Sequence, residues 1–199
     1  MPPSVPIGAD PVRYWEAARD GRVFGYHKAR TCVRSSGAPV VAIAGSAGGA
    51  WTVTSTGTVR GCGRASLGSV TATLRAPIVG IAPTASGRGY WLVASDGGIF
   101  SFGDARFWGS TGALPLNRPI VGMAASPTGM GYWLVASDGG IFSFGDARFW
   151  GSTAAMRLNS SVVGMAASPT GMGYWLVGSD GGVSPSVMRG SGVRRPRSA

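Results

Sequence analysis

Charge is scarce in this chain: 13% of its 199 residues carry it, against about 25% in an ordinary globular domain. There is one histidine, His27, and there are two cysteines, Cys32 and Cys62. A lone histidine leaves little material for Ser–His or Cys–His catalysis, which needs a base beside its nucleophile. Two cysteines cannot complete a four-ligand zinc pattern. No apolar run approaches the roughly 18 residues of a membrane-spanning helix. The start, MPPSVPIGADPV, has neither the basic nor the apolar region of a secretory signal. The chain is therefore expected to be cytoplasmic, or to lack its true N-terminus. Long glycine-free stretches are missing too: 34 glycines recur every few residues, which excludes helices and suits short strands joined by tight turns.

What the chain does have is repetition. The string GYWLVASDGGIFSFGDARFWGST runs from Gly89 to Thr111 and again, unchanged, from Gly131 to Thr153, and its first half returns at Gly173 to Gly182. Tyr90, Tyr132 and Tyr174 mark a fixed period. Units of about 42 residues cannot bury their own apolar faces and become stable by stacking on neighbours. Two worn copies precede these. Pro39 to Ser69 follows Pro77 to Ser110, with Trp51 in the place of Trp91, and Tyr14 to Arg30 aligns with Tyr90 to Arg106.

Within one copy the sequence predicts four strands: Ile120 to Ser126, Tyr132 to Ser137, Gly140 to Gly145 and Arg148 to Ser152. Asp-Gly at 138–139 supplies the positive φ of a tight hairpin. In the second strand apolar groups fall on both faces, Tyr132 and Leu134 on one, Trp133 and Val135 on the other, so both faces must be covered. The predicted fold is all-β: a β-propeller-like array of four-stranded blades of about 42 residues, open or incompletely closed, about four to five in number. Residues 1–13 form an N-terminal segment and 14–183 the array, divided as 14–38 (partial, without a first strand), 39–76, 77–118, 119–160 and 161–183 (partial). The N-terminal copy could supply later strands to the blade begun by Val162 to Gly178 and so close a ring; an open fragment with raw sheet edges, prone to edge-to-edge pairing with another chain, is the favoured alternative.

After Gly182 the pattern stops and a basic string follows. Codons for Pro185 to Arg197, displaced by one base, can spell the sequence of Phe144 to Ala155 in register with the period. Residues 184–199 are therefore expected to be a disordered frameshift product. Dividing the net charge of +10 by region removes its apparent meaning: residues 1–76 carry +6, 77–160 carry +1 and 161–199 carry +3. The regular array is nearly neutral, and nucleic acid, which wants a compact basic stripe, is not an expected partner.

The string GYWLVASDGGIFSFGDARFWGS, with PIVGMA before it, resembles the Gly-Tyr-Trp / Asp-Gly-Gly / Phe-Gly-Asp repeat of exported bacterial proteins, and more distantly tectonin and regulator-of-chromosome-condensation repeats. The resemblance covers residues 14–182, most closely 77–182. It implies a propeller-like fold and an extracellular or cell-surface role; it carries over no ligand and no catalytic residue. The absent export signal departs from that pattern.

The candidate chemistry is sparse. His27 stands where the good copies have Gly103 and reads as drift. Asp96, Asp138 and Asp180 fill one slot, Asp104 and Asp146 another; carboxylates repeated in every unit read as turn-formers more readily than as an acid–base pair or a metal site. The Gly-Gly pairs lack the Lys-Ser and the helix of a phosphate loop. No catalytic residue, metal or cofactor is expected. The aromatics Phe107, Trp108, Phe149 and Trp150 are the candidate ligand-binding residues, equivalent platforms if they reach blade edges, with packing between blades as the simpler alternative. A disulfide between Cys32 and Cys62 is open if the protein is exported, two buried thiols being the reading favoured. The expected function is a non-enzymatic binding or scaffold module for a cell-wall glycan or protein partner; a truncated gene remnant and a propeller hydrolase rank second and third.

Overall fold

The computed structural model describes residues 5–6, 13–32, 38–156 and 158–186. These fold as five separate three-stranded antiparallel meanders. The first joins β1 (Val5–Pro6), β2 (Tyr14–Ala17) and β3 (Val23–Tyr26). The second joins β4 (Val40–Ser46), β5 (Gly49–Thr54) and β6 (Val59–Cys62), and the third β7 (Ile78–Pro83), β8 (Gly89–Ala94) and β9 (Ile99–Gly103). The fourth holds β10 (Ile120–Ala125), β11 (Gly131–Ala136) and β12 (Ile141–Gly145); the fifth holds β13 (Val162–Ala167), β14 (Tyr174–Gly178) and β15 (Val183–Ser186). All-β, propeller-like architecture with unclosed ends is what the repeat implied.

The first strands β4, β7, β10 and β13 lie side by side as the hub. Each carries a bulge early in its length, before a glycine in β7, β10 and β13 and before Ala42 in β4, which bends the strand and re-aims its side chains. A small residue suffices there: a Cβ on Gly122 would sit at ordinary contact distance, 3.6 Å, from Gly164 Cα of the next blade, and β4 has Ala42 in the slot. At the hairpin between the second and third strands, Gly139 has φ 81° and a Cβ there would lie 1.8 Å from Thr153 Oγ1, so no other residue fits without strain.

The two-sided second strand explains the stacking. Trp91 and Val93 of the third blade pack with Tyr132, Leu134 and Ile120 of the fourth, all fully buried. Trp133 and Val135 then pack with Tyr174, Leu176 and Val162 of the fifth. The same edge-to-face or tilted pairing recurs at three junctions, Trp51–Tyr90 at 4.9 Å, Trp91–Tyr132 at 5.6 Å and Trp133–Tyr174 at 5.8 Å between ring centroids, a geometry that aromatic quadrupoles favour. A main-chain bond crosses each junction as well, from the amide of Val40, Ile78, Ile120 or Val162 to the carbonyl of Arg19, Ser55, Ser95 or Ser137 in the preceding hairpin.

Three expectations about the strands change. The fourth strand does not form: 148–152 is not among the strands of the five sheets, and two of its carbonyls accept from side chains. Trp133 Nε1 donates to Arg148 O at 2.7 Å, the Tyr174 hydroxyl donates to Gly151 O, and Gly151 has φ 107°, which breaks an extended run. The first blade has a first strand after all, since Val5 and Pro6 pair with Ala17 and Glu16. Residues 184–186, assigned from sequence to the tail, continue β15, with Pro185 opposite Trp175. Main-chain pairing asks little of side chains, and an edge strand tolerates proline. The remainder of the expected tail, 187–199, lies outside the described residues. Among the described residues no strand is exchanged between first and last sheets.

Cys32 and Cys62 form a disulfide, so the free-thiol expectation is corrected. The reason is local. In the third and fourth blades a tyrosine of the second strand faces a phenylalanine of the third, Tyr90 with Phe102 and Tyr132 with Phe144. In the second blade the same register holds Ala50 with Cys62, leaving Trp15 without its tyrosine partner. The covalent link to Cys32 of the first blade fastens that junction instead.

Candidate binding surface

The crossing segments 105–110 and 147–152 run from the third strand of one blade toward the next, and each is held at both ends. On its own blade Trp91 Nε1 donates to Arg106 O at 2.7 Å. On the following blade the Tyr132 hydroxyl donates to Gly109 O at 2.6 Å and accepts from Trp108 N at 3.2 Å. Burial raises the Tyr132 phenol's pKa, opposed by those two backbone bonds; the neutral hydroxyl is the form that can donate. The aspartates brace the turns around these segments. Asp96, Asp138 and Asp180 each accept the amide two residues on at 2.9 Å. Asp104 accepts from the hydroxyls of Thr84 and Ser86, and Asp146 from Ser126 and Thr128. The Ser86 bond foremost lowers the Asp104 pKa below the ordinary carboxylate value; desolvation opposes it, and the Thr84 bond adds a lesser lowering.

Anchoring the segments at both ends fixes which of their aromatics face water. Phe107 is 61% exposed and Phe149 51%, at the same position of consecutive blades. Trp108 and Trp150 are half-buried and belong to the junctions. Trp150 Nε1 donates to Gly171 O at 2.9 Å in the next blade's first hairpin, whereas Trp108 Nε1 is buried without a hydrogen-bond partner. In the second blade Arg64 replaces this contact, reaching Gly87 O with one guanidinium nitrogen and lying 3.6 Å over the Trp51 ring. Arg106 and Arg148 lie over Trp108 and Trp150 at 6.0 and 5.2 Å. Of the four aromatics singled out in sequence, then, the structure offers the two phenylalanines to solvent and draws the two tryptophans into blade packing. Exposed Met130 and Met172 follow the hairpin glycines of the next blades. They were missed in sequence, although their shared position in the period was a visible signal.

Elsewhere there are clefts lined by small and apolar side chains together with an arginine. One of about 430 Å³ is lined by Ser55, Leu74, Arg75 and Pro77, and another of about 270 Å³ by Val23, Arg60 and the Cys32–Cys62 bridge. His27 lies on the exposed turn after β3, beside Tyr14. Among the described residues no three His, Cys, Asp or Glu side chains are grouped to hold a metal, and no helix is long and apolar enough to cross a membrane.

No family model matches the chain, and neither does any curated protein. Among solved structures it is similar to the β-propeller domain of Cps50 (Swd1) from Myceliophteria thermophila, with a TM-score of 0.60 and 11% identity. The match covers 88% of this chain and 62% of that domain. The likeness shows the propeller fold, and this chain spans about three-fifths of the propeller it matches.

Proposed function

We propose that this chain is a non-enzymatic binding module that holds a repetitive surface polymer, a cell-wall glycan or a partner protein, through equivalent platforms on successive blades. The observation that carries the reading is the pair Phe107 and Phe149, exposed in the same register while Tyr132 and Tyr174 are buried and the adjacent Trp108 and Trp150 are half-buried in the junctions. A ring face in water suits the C–H face of a sugar, and two weak contacts at a fixed spacing add by avidity. The Cys32–Cys62 bridge supports an extracytoplasmic setting, since disulfides persist in oxidising compartments, in keeping with the exported repeat proteins the sequence resembles.

The test is binding to isolated cell wall and to a glycan array by the wild type, Phe107→Ala, Phe149→Ala and the double variant. Each single change should weaken retention and the double should abolish it, with unchanged melting. Equal binding by the double variant would remove the phenylalanines from the function.

A further inference from the structure

Among the described residues no sheet covers one of the two faces of the fifth blade. Trp175 is 40% exposed, whereas Trp51, Trp91 and Trp133 are sealed. Val163 and Val183 beside it are more than half exposed, although the counterparts of the first, Val79 and Val121, and of the second, Ile99 and Ile141, pack inside junctions. The space next to Gly164 is empty where Gly122 meets the following hub strand. This is the Trp/Val face, which at three junctions of the chain is capped by the tyrosine face of the next blade.

The complementary surface exists at the other end of the same molecule. Tyr14 and Tyr26 of the first blade occupy the slots of Tyr90 and Phe102, stack on each other at 4.6 Å, and look away from the second blade, which packs on Trp15 and Val23. Among the described residues no sheet covers them, and the first and last sheets do not pack together. Glu16 stands in the slot of buried Leu92 and accepts from the Tyr26 hydroxyl at 3.1 Å. That makes this face more polar than the internal ones, and its contact correspondingly weaker.

We propose that the Trp175 face is a docking surface for the Tyr14–Tyr26 face of a second copy of this chain, so that molecules associate head to tail by repeating the junction that joins their own blades. Such an interface is heterologous: each added molecule presents a fresh Trp175 face, and assembly does not stop at a symmetric dimer.

Sedimentation equilibrium of the full chain over a wide concentration range tests this. The wild type should show an average mass that rises with concentration. Trp175→Glu, at an exposed position, and Tyr14→Glu, at a half-buried one, should each stay monomeric with unchanged circular dichroism; Val163→Glu serves should Trp175→Glu unfold, and Tyr26→Glu should Tyr14→Glu unfold. Mixing the two monomeric variants leaves one good face on each, so the mixture should form a one-to-one dimer and nothing larger. A wild type that is monomeric throughout, an acidic variant that still associates, or a mixture that stays monomeric would overturn the proposal. Association of Tyr14→Glu alone would instead mean that two Trp175 faces meet, which also overturns it.

Discussion

Cutting the Cys32–Cys62 link should release the first blade and leave the rest standing. The bridge closes a loop with a sequence separation of 30, for which chain entropy alone gives about 3.7 kcal/mol, roughly a 500-fold change in the opening equilibrium. In a stacked array stability is a sum of unit and nearest-neighbour contributions, so the loss falls on one junction. That junction is the one where Ala50 replaces the stitching tyrosine, leaving Trp15, Ala17 and Val23 packed on Val40, Ile43 and Ala50. Hydrogen exchange read by mass spectrometry on the Cys32→Ser/Cys62→Ser variant checks this directly. Amides of 14–26 and of Val40, which bonds to Arg19 O, should exchange faster by two to three orders of magnitude, while 120–136 keeps its protection. Unchanged exchange in the first blade would refute the assignment of that junction's stability to the bridge, and uniform loss across all five sheets would refute nearest-neighbour stacking.

Other outcomes follow from the same packing. Tyr132→Phe removes a buried hydroxyl that donates to Gly109 O and accepts from Trp108 N; urea titration should show a loss of about 1–2 kcal/mol. Trp133→Ala empties the junction between the fourth and fifth blades and should cost about 3–5 kcal/mol by the same titration. The carboxyl pKa of Asp104 is lowered in the folded state, so its contribution is present above the unfolded carboxylate range and is lost as pH falls through the folded value. Melting temperature should therefore drop at acid pH, and Asp104→Asn should flatten that slope slightly, the group being largely solvent-exposed.

Much of this architecture could be read from residues alone, and the places where reading stopped have physical causes. The second strand showed its two-sided burial through Tyr132, Trp133, Leu134 and Val135, and all four are buried. Segment 148–152 has the composition of a strand, yet its fate is decided by hydrogen bonds from Trp133 and Tyr174, partners that only the assembled junction brings near. The disulfide was hidden for a related reason. Its signal was the joint loss of an aromatic pair at Ala50 and Cys62, and that pair becomes visible once the cross-strand register is known. At the candidate site, adjacent Phe149 and Trp150 are chemically alike in sequence; Gly171 O, one blade away, separates them by claiming the tryptophan.

The claim beneath all of these is that each Trp/Val face is sealed by the next blade and that the last one is not. Hydroxyl-radical footprinting of dilute protein, read tryptophan by tryptophan, measures it. Trp175 should oxidise readily while Trp51, Trp91 and Trp133 stay protected. Equal protection of all four would mean a closed ring, and equal oxidation would mean blades that do not stack; either result contradicts the account.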